Sequence, residues 1–225
     1  MFLDATSYVN EPPLELTVPV LAGAWVWQGA PLSGLPPRAK CEDVARRNRI
    51  VIIDSESWDL ADSGQYYTTM VAWMRGANPT CVIGAYGVPK RDYWRAIMDF
   101  KAPEYAMWQA ENNLLAPAAL ALDWLCPSLY TFYDVSTPVG LGAWARYAVA
   151  NVTEARRIGA KKVAAFLWPE YHGSNKALGG QYIPAAAFAA QLKLAKALCD
   201  HVVVWGGQGK PFAPTGWWDV VNANA

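Results

Sequence analysis

Long apolar runs, an excess of charge of either sign, and histidine are what this sequence lacks, and each shortage removes a class of function. No uninterrupted apolar run reaches the ~20 residues that cross a bilayer, and the first residues show no basic segment leading into an apolar one. The chain therefore reads as soluble, with no visible export signal and no compartment specified. Its 19 basic residues balance 19 acidic ones, so no long-range field gathers a polyanion, and nucleic acids and anionic membranes are poor general partners. The two histidines, His172 and His201, lie far apart, and Cys41, Cys81, Cys126 and Cys199 lack the close spacing of a zinc or redox motif. The cysteines read as buried free thiols, and neither metal nor cofactor is implied. No glycine-rich dinucleotide loop follows any predicted strand, and no linker or repeat divides the chain.

Aromatic residues are abundant. Twelve Trp and eleven Tyr exceed what a core of this size requires; about half read as packing residues, and the rest have flat amphipathic faces that suit sugar rings or interface anchors. With 53% hydrophobic content over 225 residues, the chain is sufficient for one large domain with a substantial core.

Strand and helix patterns alternate. Strands are predicted at residues 22–28, 50–53, 81–86, 105–109, 125–132, 162–168 and 202–205, after a doubtful stub at 2–4. Helices are predicted at 39–48, 65–76, 92–100, 117–124, 141–158 and 184–198. Such alternation signals a parallel sheet wrapped by helices. The fold class is α/β: a compact or incomplete (β/α) TIM-type barrel of seven to eight parallel strands, a single domain over residues 1–225, with a doubly wound open sheet as the alternative.

The most informative stretch is Ile50-Val51-Ile52-Ile53-Asp54-Ser55-Glu56-Ser57-Trp58. Four β-branched residues run into two carboxylates, as in a strand covered on both faces with an acidic C-terminal end. Side chains two apart on a strand share a face, ~6.6 Å apart, so Ile52, Asp54 and Glu56 point one way and Ile53 and Ser55 the other. A solvated strand end is the plain alternative, but two carboxylates on one face repel each other, which structural residues seldom tolerate without a use. In a barrel, all strand exits share one rim, where catalytic residues collect. The exits carry Trp25 and Trp27, Asp54 and Glu56, Tyr86, Trp108 and Glu111, Tyr130 and Tyr133, Trp168, Glu170 and Tyr171, and Trp205. Carboxylates in a ring of aromatics suit a carbohydrate, with sugar faces stacked on rings and a shielded carboxyl protonating the glycosidic oxygen.

The stretch from Val51 to Trp58 resembles the acidic strand of the hyaluronidase family of glycoside hydrolases. Cys126 to Thr131 is similar to that family's Pro-Ser-Val/Ile-Tyr-Leu strand, Asn151 to Ile158 to its following helix, Lys161 to Tyr171 to its next strand, and His201 to Gly206 to its terminal Ile-Trp-Gly strand. The resemblance spans residues 50–206. It implies Glu56 as proton donor and Asp54 as the carboxylate holding an acetamido group, with Tyr130 and Trp205 lining the same subsite. Tyr86, Trp168, Tyr171 and Trp58 complete the expected substrate-binding set. Where the family has Gly-Tyr-Tyr before a proline, this chain has Gly84-Ala85-Tyr86, and the family's disulfide cysteines lack counterparts.

The expected function is substrate-assisted retaining hydrolysis of an N-acetylhexosamine-containing polysaccharide. Two other readings stay open: a muramidase-like cell-wall hydrolase, with Asp4 as a further carboxylate, and a non-catalytic barrel that binds glycan or protein. Glu104, Glu111, Asp123 and Asp134 are reserve carboxylates. Because no metal is implied, a chelator is expected to leave hydrolysis unchanged; loss with EDTA and recovery with a divalent ion would contradict this.

Overall fold

A computed structural model describes residues 2–6, 21–22, 34–55, 58–97, 99–207, 209–212 and 216–223. The strands are β1 (Phe2–Thr6), β2 (Leu21–Ala22), β3 (Ile50–Ile53), β4 (Val82–Tyr86), β5 (Trp124–Cys126), β6 (Lys162–Leu167) and β7 (His201–Gly206). The helices are α1 (Arg38–Arg47), α2 (Leu60–Ala77), α3 (Tyr93–Ala96), α4 (Pro103–Asn113), α5 (Ala116–Ala121), α6 (Pro138–Arg157), α7 (Ala185–Leu198) and α8 (Trp217–Asn222). All pairings between these strands are parallel, in the order β1-β7-β6-β5-β4-β3-β2. Six strands run three residues or longer, and two-residue β2 adds a short rung at one end. Among the described residues β1 and β2 do not pair, so the sheet is a curled, incomplete barrel.

Alternation along the strands builds two cores. Ile50, Ile52, Tyr86, Trp124, Cys126, Ala164, Phe166 and Val203 pack with Leu3 and Tyr130 inside the curl. Val51, Ile53, Ile83, Ala85, Leu125, Val163, Ala165, Leu167, Val202 and Val204 face the helices. A β-carbon on Gly84 would lie 2.7 Å from Ile52 Cδ1 and 3.1 Å from Cys126 Sγ. Glycine makes room there for Ile52 and Trp124, its register neighbours on either side.

The strand starts are pinned by aspartates. Asp123, just before β5, accepts from Ile83 N at 2.9 Å and pairs with Arg75 at 2.8 Å; Asp200, just before β7, accepts from Val163 N at 2.8 Å. Asp123, a reserve carboxylate from the sequence, is thus engaged at the rim opposite the strand exits. Asn151, part of a glycosylation-like triplet, is buried on α6 and donates to Tyr147 O at 2.9 Å.

The stub at 2–4 is a full strand, β1, pairing with β7 from Phe2↔Val202 to Thr6↔Gly206. The predicted strand at 105–109 is instead part of α4. Pro103 opens that helix, and Tyr105, Trp108 and Asn112 form its buried stripe, a helical rather than alternating spacing. The predicted helix at 92–100 is reduced to α3, and of the strand predicted at 22–28 only Ala22 lies within the described residues. Trp25 and Trp27 lie outside them, as does the side chain of Asp4. No described helix is long and apolar enough to cross a membrane.

His201 begins β7, its ring 4.5 Å from Trp124, with both ring nitrogens buried and without hydrogen-bond partners among the described residues. Burial, reinforced by positive neighbours including Lys162, lowers its pKa below the ordinary 6.5. The folded state therefore takes up this proton less readily than the unfolded chain. The stability it contributes is complete above the unfolded pKa and is lost progressively as pH falls from that value through the lower folded one. Thermal midpoints measured from about pH 7 down to about pH 5 should drop more steeply in the wild type than in His201→Gln; parallel curves would refute the assignment.

Candidate functional site

Asp54 follows Ile50 and Ile52 on the inner side of β3 and stands half-buried at its C-terminal end. It lines a cavity of about 480 Å³ with Ile52, Tyr86, Arg91, Tyr130, Phe166, Trp168, His172, Gly173 and Trp205. Phe166, buried inside the curl, packs edge-on against Tyr86 with centroids 5.0 Å apart. Tyr130 stacks on Trp205 at 5.6 Å and 24°, and Trp168 stands edge-on to both, 5.5 Å from Tyr130 and 4.9 Å from Trp205. Three rings in mixed stacked and perpendicular contact make a wall whose members hold one another's orientation.

The polar groups are also held. Tyr86 Oη lies 3.0 Å from Ser128 Oγ and accepts from Arg91 Nη1 at 3.4 Å. The Arg91 guanidinium carbon sits 5.8 Å from the centre of the Phe132 ring, a cation held over an aromatic face. His172 Nδ1 is 2.8 Å from Ser174 Oγ, and its ring is 4.7 Å from Phe132. Ala85 faces the helix layer, so the position where this chain departs from Gly-Tyr-Tyr lies on the sheet face opposite the cavity.

Of the residues singled out from sequence, Asp54, Tyr86, Tyr130, Trp168 and Trp205 share this cavity. Glu56 lies outside the described residues. Trp58 turns away: its indole donates to Gly34 O at 3.2 Å, it packs against Tyr66 and Tyr67, and it lines a neighbouring cavity of about 450 Å³ that also includes Tyr86 and Arg91. Tyr171 is buried in the helix-facing core, its hydroxyl donating to Asp134 at 3.3 Å and accepting from Val135 N at 3.4 Å. It falls on the outward parity of β6, three residues after inward Trp168. Trp108, Glu111 and Tyr133 are likewise absent from the cavity's lining. Glu111 is held by Arg95 and Lys90, which push its pKa down to about 2. Arg91 has no sequence signal, being a loop residue placed by the chain path after β4. His172, which follows Glu170 and Tyr171 and reads from sequence as an exposed loop histidine or a substrate contact, is in the cavity's lining. Among the described residues no cluster of three or more His, Cys, Asp or Glu is arranged to hold a metal ion.

No family model matches the sequence, and no curated protein matches it either. Similarity appears among solved structures. A crystal structure of bee venom hyaluronidase superposes with a TM-score of 0.53 at 16% identity, covering 70% of this chain and 62% of that one. Bee venom hyaluronidase in complex with a hyaluronic acid tetramer gives 0.55 at 17%, covering 72% and 62%. An engineered protein gives 0.50 at 11%, covering 83% of this chain and 44% of the other. The chain thus spans less than two thirds of the bee venom protein, and at these identities the likeness is one of fold.

Glu170, at 1% exposure, leaves the end of β6 and is paired with Lys210 Nζ at 2.5 Å, from the segment after β7. The pair ties together the two strand exits that carry Trp168 and Trp205. Removing Lys210 takes one cation from a buried carboxylate, so Lys210→Met is expected to lower stability by about 1–3 kcal/mol, read as a shift in denaturant midpoint. An unchanged midpoint would show that the tie is not needed.

Proposed function

We propose that the protein is a glycoside hydrolase acting on an N-acetylhexosamine-containing polysaccharide, with Glu56 as proton donor and Asp54 as the carboxylate that orients the substrate's acetamido group. The observation that carries the reading is Asp54 at the end of β3, in the wall of a cavity that it shares with Tyr86, Tyr130, Trp168 and Trp205 and with the polar Arg91 and His172. Aromatic faces with one carboxylate are suited to a sugar ring, which offers apolar C–H faces and a polar edge. The fold likeness to bee venom hyaluronidase, seen with a bound hyaluronic acid tetramer, supplies an example of a similar fold holding a sugar polymer.

The chemistry follows from sequence spacing. Two carboxylates flanking a sugar stand ~5 Å apart in ordinary retaining glycosidases and roughly 6.5 to 9.5 Å apart in inverting ones, on opposite sides of the anomeric carbon. Carboxylates two residues apart in sequence at one strand end, as Asp54 and Glu56 are, are not expected to approach from opposite sides. The substrate's own amide oxygen fills the second role. It bonds to the anomeric carbon while the glycosidic C–O bond breaks and the leaving oxygen takes the proton of Glu56. Asp54 holds the amide N–H and offsets the positive charge of the cyclic intermediate. Water then opens the ring, giving its proton to Glu56, and configuration is retained.

The two carboxylates separate by leaving group. Glu56→Gln should lower kcat/KM by around 10² to 10⁴ on substrates with poor leaving groups and by less on activated aryl glycosides. Asp54→Asn should slow every N-acetylated substrate alike, because each passes through the cyclic intermediate. Wild-type rates in both variants on a confirmed substrate would remove the assignment and leave a binding barrel or another carboxylate pair.

A further inference from the structure

Beyond the cavity mouth the aromatic surface continues. Trp94 is 60% exposed and Tyr133 40% exposed. Single exposed hydrophobic residues are ordinary, but these two touch, with centroids 5.0 Å apart, and both rest on Tyr93, at 5.6 and 4.7 Å. Tyr93 meets Phe132 at 6.1 Å, and Phe132 meets cavity residue His172 at 4.7 Å. A continuous series of rings therefore runs from the cavity wall to the open surface.

The series is braced. Beneath it Tyr147, fully buried, contacts Tyr93 at 5.1 Å and donates its hydroxyl to Ser128 O at 2.7 Å. The short helix bearing Trp94 is fixed by Asp92, which accepts from Arg95 N at 3.0 Å, and by Arg95, which grips Asp92 and makes two 2.8 Å bonds to Glu111. Asp92, Arg95 and Glu111 thus pair with one another beneath the exposed rings, which offer their faces to solvent. A braced, exposed pair of rings joined to the proposed glycan cavity suits a second ligand of the same kind, since ordering losses on binding are small where the platform is already rigid.

We propose that Trp94 and Tyr133 form a distal subsite for the same polysaccharide chain whose reacting unit occupies the cavity, so that long chains are held in preference to short ones. This rests on reading the cavity as a glycan site. The test measures affinity of Asp54→Asn protein for the disaccharide and hexasaccharide of N-acetylglucosamine and of hyaluronan, with and without Trp94→Ala and Tyr133→Ala. The hexasaccharide-to-disaccharide affinity ratio should fall about tenfold in either ring variant, as expected for loss of a contact worth about 1.4 kcal/mol. Added salt should leave the effect in place. Trp94→Phe should recover much of the ratio, and Leu120→Ala, an exposed change elsewhere, should leave it at the wild-type value. Thermal midpoints confirm that each variant is folded. A ratio unchanged in folded ring variants, with the hexasaccharide still bound, overturns the distal subsite while leaving the cavity reading intact. Failure of both oligomer series to bind overturns both readings. Self-association lost in Trp94→Ala, without change in the ratio, would make the surface a contact between copies and refute the proposal.

Discussion

Everything that positions the candidate site depends on one constraint: side chains of a curled parallel strand alternate between the space inside the curl and the layer under the helices. Inward parity fills the interior with Ile52, Tyr86, Cys126, Phe166 and Val203, and where the apolar filling stops the same parity delivers Asp54, Tyr130, Trp168 and Trp205 to the open end. Outward parity takes Ala85 and Tyr171 into the other core. Asp54 and the aromatic wall are thus continuations of the packing.

The pinning at the opposite end serves the same geometry. Asp123 and Asp200 each spend a carboxylate on a backbone N–H of the preceding strand, fixing where strands begin and hence which residue reaches each exit. Slippage by one residue would exchange the two faces. Gly84 protects the interior by having no side chain where Ile52 and Trp124 meet.

The strongly patterned parts were legible in the residues. Ile50–Ile53 is apolar, β-branched and bounded by polar residues, so strand, direction and carboxylate face all follow. Long helices such as α6 and α7 also declare themselves. Tyr105 to Gln109 misled because a five-residue apolar-aromatic window fits either period, and only the buried Tyr105, Trp108 and Asn112 spacing decides for helix. β1 was underread because a strand at the chain start has no preceding turn signal, and its pairing with β7 is long-range. Tyr171 lies close to an exit in sequence, but counting from inward Phe166 puts it on the outward side. Trp58 lies beyond the strand, where parity no longer governs direction. Arg91 leaves no trace in the pattern, since its place follows from the route of a loop.

That Arg91 and Tyr86 stand in the walls of both cavities has an effect on communication between them. A ligand that draws the guanidinium or the phenol toward one space removes it from the other. Where occupants of both spaces contact these two side chains, any free energy one contributes to or withholds from the other is returned in equal measure, because binding linkage is reciprocal.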